Sequence, residues 1–217
     1  LENGNFESGT TEGWTTFEQA YPDEQDFNGN AIPWVNEDAN TSGTGSVLIA
    51  TSIKGATTSY AITPDTDNAN NGDYSLRLLM NGEITCPVSG GVINEPDGYC
   101  STYGPYIESG AFSAVAGEKV NFAWLAINGS DWYEVRGLLI GDGADDTFGT
   151  ADDTTTSLFS QRGDKVTSFQ IVSNTVSADD TYKFAFLGGT YDATGLLGVG
   201  ASLYIDDVEL ELNNTIT

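Results

Sequence analysis

Every clear segment of this chain is a short run of alternating apolar and polar residues, closed by glycine or by an Asn-Gly, Asp-Gly or Gly-Gly pair. Nowhere does an apolar spacing of three to four persist for the length of a helix. Successive side chains of a strand point to opposite faces, so each such run buries one face and needs others like it. The pattern predicts an antiparallel β-sandwich, an all-β fold. In GDYSLRLLM, Tyr74, Leu76 and Leu78 alternate with Ser75 and Arg77. Further strands are expected near Phe6 and at 46–53, 59–62, 120–127, 158–159, 168–172, 182–187 and 202–212. The polar stretch 15–45, with Trp34, reads as a loop or a broken strand pair. The 217 residues show no repeat and no linker, so residues 1–217 are expected to form one module.

Asn128-Gly129 is the strongest short hairpin signal, because both residues tolerate the positive φ of a type I′ turn. A two-residue turn there sets Leu125 opposite Trp132, Trp124 opposite Tyr133, and Asn121 opposite Arg136. Phe122, Trp124, Tyr133 and Val135 would then face the core. Asn121, Ala123, Leu125, Trp132, Glu134 and Arg136 would form a trough on the outer face. Asp131, Trp132, Glu134 and Arg136 are candidate ligand contacts, with Tyr103 and Tyr106 from the preceding Gly/Pro-rich segment.

The predicted strand after this turn runs into a loop holding Asp142, Asp145, Asp146, Asp152 and Asp153. Two carboxylates about 5 Å apart in water repel by a little under ~1 kcal/mol, so five in one loop call for a cation. Calcium accepts six to eight oxygens in flexible geometry, which suits carboxylates beside a glycine-rich backbone. The competing reading is a solvated acidic loop that binds nothing. The last strand, SLYIDDVELEL, carries a phase error. Leu203 and Ile205 alternate in one phase, Val208, Leu210 and Leu212 in the other. Either a bulge at Asp206-Asp207 restores the phase, or an aspartate points inward and requires a partner, with a metal ion the expected one.

Seven Lys plus Arg against 32 Asp plus Glu leave a formal charge of −25, which repels nucleic acid and anionic lipid alike. Histidine is absent, which removes the triad nucleophiles and the usual base near neutral pH. Glycosidase chemistry needs only two carboxylates, but no motif singles out a pair, and no enzymatic activity is expected. Cys86 and Cys100 flank a Gly/Pro loop, and their spacing favours a disulfide over two free thiols, hence an oxidising, extracellular setting. No apolar run approaches a membrane span. The abrupt start at Leu1 suggests a module cut from a larger protein.

NGNFESGTTEGW at the start and LYIDDVELEL at the end resemble the paired terminal motifs of jelly-roll carbohydrate-binding modules of the galactose-binding-like fold. The resemblance implies that the first and last strands meet and that Glu7 and Asp206, or Asp207 in its place, hold a structural calcium. The middle, residues 97–140, resembles the ligand-binding modules of calcium-dependent bacterial adhesins of the repeats-in-toxin class. That resemblance implies a non-catalytic, monomeric, cell-surface adhesion module that binds peptide C-termini with calcium. The alternative is a carbohydrate-binding module whose aromatics, Trp34, Tyr103 and Trp132 among them, stack on sugar rings.

Overall fold

The structure is a computed structural model that describes residues 1–17, 52–64, 68–85, 101–129, 131–164, 166, 168–191 and 198–212. Two antiparallel sheets carry the fold. The first runs in the order β1 (Trp14–Phe17), β4 (Ser101–Ser109), β10 (Asp180–Tyr191), β7 (Trp132–Gly141) and β8 (Thr154–Gly163), and β5 (Phe112–Ala114) also pairs with β10. The second runs β2 (Ser52–Pro64), β3 (Tyr74–Thr85), β11 (Gly198–Glu211), β6 (Lys119–Asn128) and β9 (Gln170–Thr175). Trp34, Cys86 and Cys100 lie outside the described residues.

The alternating apolar positions meet between the sheets. Leu76, Leu78, Phe122, Trp124, Leu203 and Ile205 of the second sheet pack in one cluster with Ile107, Val135, Leu139, Phe159, Phe184 and Phe186 of the first. Phe122 meets Phe186 edge-on at 5.0 Å, and Trp124 stacks on Phe159 at 4.8 Å. Burial of each such side chain contributes roughly 1.5–3 kcal/mol. Gly137 makes room for this stack, since a Cβ there would lie 2.4 Å from the Phe159 ring.

The expected hairpin at Asn128-Gly129 does not form. β6 lies between β11 and β9, while β7 lies between β10 and β8 in the opposite sheet. Leu125 pairs with Tyr204 and Trp132 with Tyr191. The Gly129 N–H donates to the Gly200 carbonyl at 3.0 Å, and the Asn128 N–H to the Asp164 carbonyl, as the chain crosses between sheets. Each strand is central in its own sheet, so both edges of its backbone are paired there and neither is left for the other. The predicted core face survives, because its residues look at one another across the sandwich; the outer trough is split onto opposite outer surfaces.

The phase error in β11 is a bulge. Pairing with β6 shifts between Asp206 and Glu209, and Asp207 takes a left-handed φ of 49°. Val208 is thereby returned to the core side with Leu203 and Ile205. One local expectation fails. Residues around Phe6 form turns, with Asn3 and Phe6 at positive φ, and the first strand starts at Trp14. The Gly/Pro-rich tyrosine segment is a strand, β4, whose Pro105 sits where the pairing with β10 shifts between Leu187 and Gly189.

Candidate ligand-binding face

Alternation along β7 sends Tyr133, Val135 and Leu139 into the core and Leu138 and Ile140 to the outer surface of the first sheet. Trp132, Glu134 and Arg136 share the outer phase. Leu138, Ile140, Ala185, Leu187 and Tyr106 form an apolar cluster there, flanked by Phe17 and Phe148. Phe17 lies flat on Tyr106, ring centres 4.1 Å apart. Lys183 sets its Nζ 4.4 Å from the Phe148 ring centre and 3.6 Å from Glu108. Burial holds the Glu108 carboxyl above its ordinary range, and Lys183 opposes that shift.

At the other end of β7 the surface turns polar and aromatic. Arg162 of β8 lies opposite Glu134, donates from Nε to its carboxylate, and stacks over Tyr191 with 3.8 Å from guanidinium carbon to ring centre. Trp132 neighbours Tyr191 across the β7–β10 pair, ring centres 6.1 Å apart. Glu134 is 2% exposed and Arg136 1%, whereas Trp132 is 40% exposed. Trp132 and Arg162 are the exposed members of this group. Asp131 is buried and accepts the Trp132 N–H at the strand start. Tyr103 lies in β4 opposite Gly189, while Tyr106 is buried under Phe17.

The structure thus gathers Tyr106, Trp132, Glu134 and Arg136 on one sheet face, though not through the hairpin that suggested them. Tyr191 and Arg162 escaped the sequence reading. The scarcity of Lys and Arg was the one signal for Arg162, since so few cations among so many acids are expected at buried carboxylates.

The five acids of the loop do not converge on one point. Asp152 Oδ2 accepts the Ala144 and Asp145 N–H groups, Asp153 Oδ2 accepts Gly149 N–H, and Asp145 Oδ1 accepts Thr147 N–H. The hydrogen bond from Thr150 Oγ1, joined by backbone N–H groups, holds the Asp152 carboxyl below its usual range despite partial desolvation. Asp142 is separate and buried, and Asp146 stands exposed at φ 54°. Among the described residues no three acids form a metal-holding group.

At the termini, the resemblance places Glu7 and Asp206 about a calcium. Here both reach the same loop. Glu7 accepts the Asp73 and Tyr74 N–H groups, and Asp206 Oδ2 accepts those of Asn70 and Asn71 at 2.8 and 3.2 Å. Asp206 Oδ1 takes the Asp207 N–H. Burial still outweighs these donors and raises the Asp206 carboxyl to about 6. The amides answer both carboxylates, and the two side chains clasp the 70–74 loop against the chain ends. Beside them a cavity of about 610 Å³ is lined by Asn3, Asn5, Asn70, Asn71, Asn121 and Asp207 among others. Its one lining ring, Phe122, is buried in the core, so it offers no stacking surface.

No family model and no curated sequence matches this chain. Among solved structures, it is similar to a carbohydrate-binding module of the β-sandwich superfamily, one described for promiscuous specificity. The TM-score is 0.54 at 12% identity, over 96% of this chain and 61% of that one. The K1 cleaved adhesin domain of Lys-gingipain from Porphyromonas gingivalis matches at TM-score 0.48 and 14% identity, over 97% and 96% of the two chains. TmCBM61 in complex with β-1,4-galactotriose matches at 0.47 and 11%, over 97% and 95%. At such identity the first of these speaks for the fold, a jelly-roll β-sandwich, and not for a ligand. This chain spans less than two thirds of that protein.

Proposed function

We propose that this chain is a non-catalytic carbohydrate-binding module of the extracellular medium, using the Trp132 end of the first sheet's outer face. The observation that carries the reading is the exposed Trp132 ring beside Tyr191, with the Arg162–Glu134 pair against it. A sugar presents an apolar CH face and a rim of hydroxyls; an exposed indole answers the first, and a guanidinium oriented by a buried carboxylate answers the second. The peptide-terminus adhesin reading comes from the resemblance of residues 97–140, and it stands as the competing outcome of the test. Neutral oligosaccharides and peptides with free C-termini are titrated by calorimetry into the protein and into Trp132→Ala. Oligosaccharide binding that falls about tenfold or more in the variant, with melting unchanged, is expected from loss of one stacking surface. Peptides binding where sugars do not would establish the adhesin reading instead. Sugar binding undiminished in Trp132→Ala would move the site elsewhere on the sandwich.

A further inference from the structure

Gly141 ends β7, and the chain turns at Asp142 into the acidic loop. Asp142 is 4% exposed, and its Oδ1 is buried without a hydrogen-bond donor. What faces it is another acceptor: the carboxyl of Asp180, first residue of β10, lies within hydrogen-bond reach. Thr154, first residue of β8, joins them, because Gly141 pairs with Thr154 on one side and Tyr182 on the other. A Cβ on Gly141 would lie 2.5 Å from both Asp180 Oδ2 and Thr154 Oγ1. Glycine leaves open a cradle walled by oxygens. Burial, and next the Asp180 carboxylate, hold the Asp142 carboxyl above its ordinary range, and the Asp146 charge adds to the effect.

We infer that this cradle binds a divalent cation, calcium, between Asp142 and Asp180, with Thr154 Oγ1 as a third ligand. The Thr181 N–H donates to Asp180 Oδ1 at 2.9 Å, but no donor meets Asp142 Oδ1, and a buried carboxylate oxygen left unanswered is costly. Water completes the six to eight oxygens that calcium takes, entering past the exposed Thr154 and Asp146. The loop aspartates that the backbone already satisfies supply field rather than ligands. Trp132 lies at the far end of β7, roughly 30 Å away at strand rise, so this ion does not touch a ligand stacked on that ring. The inference stands apart from the carbohydrate reading, and its test uses no sugar.

Metal-free protein is titrated with calcium by calorimetry and with terbium by luminescence excited through Tyr182, whose ring edge borders the cradle. The expected result is one site whose affinity drops more than about tenfold in Asp142→Asn and in Asp180→Asn. Thr154→Val, an exposed strand position, should weaken binding severalfold while metal-free melting stays the same, which answers the case where an aspartate variant misfolds. Wild-type protein that binds neither ion at millimolar concentration would overturn the site. So would calcium affinity unchanged in both aspartate variants but lost in Glu7→Gln, which would put the ion at the chain ends.

Discussion

Glu134 is a carboxylate taken almost wholly out of water, and a charge in that position is tolerated only when a counter-charge and hydrogen bonds answer it. Arg162 does so from the neighbouring strand while lying on Tyr191, with its side chain one-third exposed. Arg162→Met should therefore cost about 1–3 kcal/mol in urea unfolding, discounted for that exposure. Arg162→Lys should recover only part, because an ammonium neither forks to the carboxylate nor stacks flat on a ring. A loss under about 0.5 kcal/mol in the methionine variant would mean that the pair contributes nothing measurable. Gly137 poses the opposite problem, one of space. Gly137→Ala drives a methyl into the Phe159 ring and should destabilise by about 1–3 kcal/mol, visible as a lower urea midpoint with an unchanged slope. An alanine variant as stable as the parent would show that Phe159 shifts at no cost.

Among the elements, β11 was the most legible, and it also shows where legibility ends. Its broken phase announced a bulge or an inward aspartate. The structure has the bulge, and beside it Asp206 fully enclosed among the amides of 70, 71 and 207. An isolated strand pattern reports which side chains face inward, so the core of β3, β6 and β7 could be named from sequence. It does not report which strand lies alongside, and so β6 and β7 were joined across Asn128-Gly129 when they belong to opposite sheets. The proposed binding face was half legible for the same reason: Trp132, Glu134 and Arg136 share one strand, but Arg162 and Tyr191 arrive through long-range pairing. Asp180 was invisible until β10 was laid beside β7. The Asp206 clasp has a pH signature. Its folded value of about 6 exceeds the ordinary ~3.9, so its contribution favours folding fully below pH ~4 and is lost as the pH rises through about 6. Asp142 and Glu108 are shifted the same way, Asp152 the opposite way. Melting temperature measured in metal-free buffer should thus rise from pH 7 to pH 5, with a shallower rise in Asp206→Asn. Parallel slopes for parent and variant would take Asp206 out of that response.

On the scale of the whole molecule, 32 acids against seven basic residues make self-repulsion a standing cost of compaction. Two remedies act differently. Monovalent salt screens exposed charges over a Debye length that shrinks from ~30 Å at 0.01 M to ~10 Å at 0.1 M, and it barely reaches enclosed groups such as Asp142. A calcium ion held only by the folded chain adds RT ln(1 + [L]/Kd), about 2.7 kcal/mol at a hundredfold excess over Kd. For a chain of this size that corresponds to roughly 5–10 °C in melting temperature. The expected record is a gradual rise with sodium chloride, then a further step on adding millimolar calcium at matched ionic strength, reversed by chelator. Asp142→Asn should keep the salt response and lose most of the step, since sodium acts on the whole surface while calcium acts through one cradle. Scanning calorimetry at fixed pH distinguishes them. A calcium step no larger than matched sodium chloride produces would reduce the metal to a screening ion, and the charge of −25 would then be carried by salt alone.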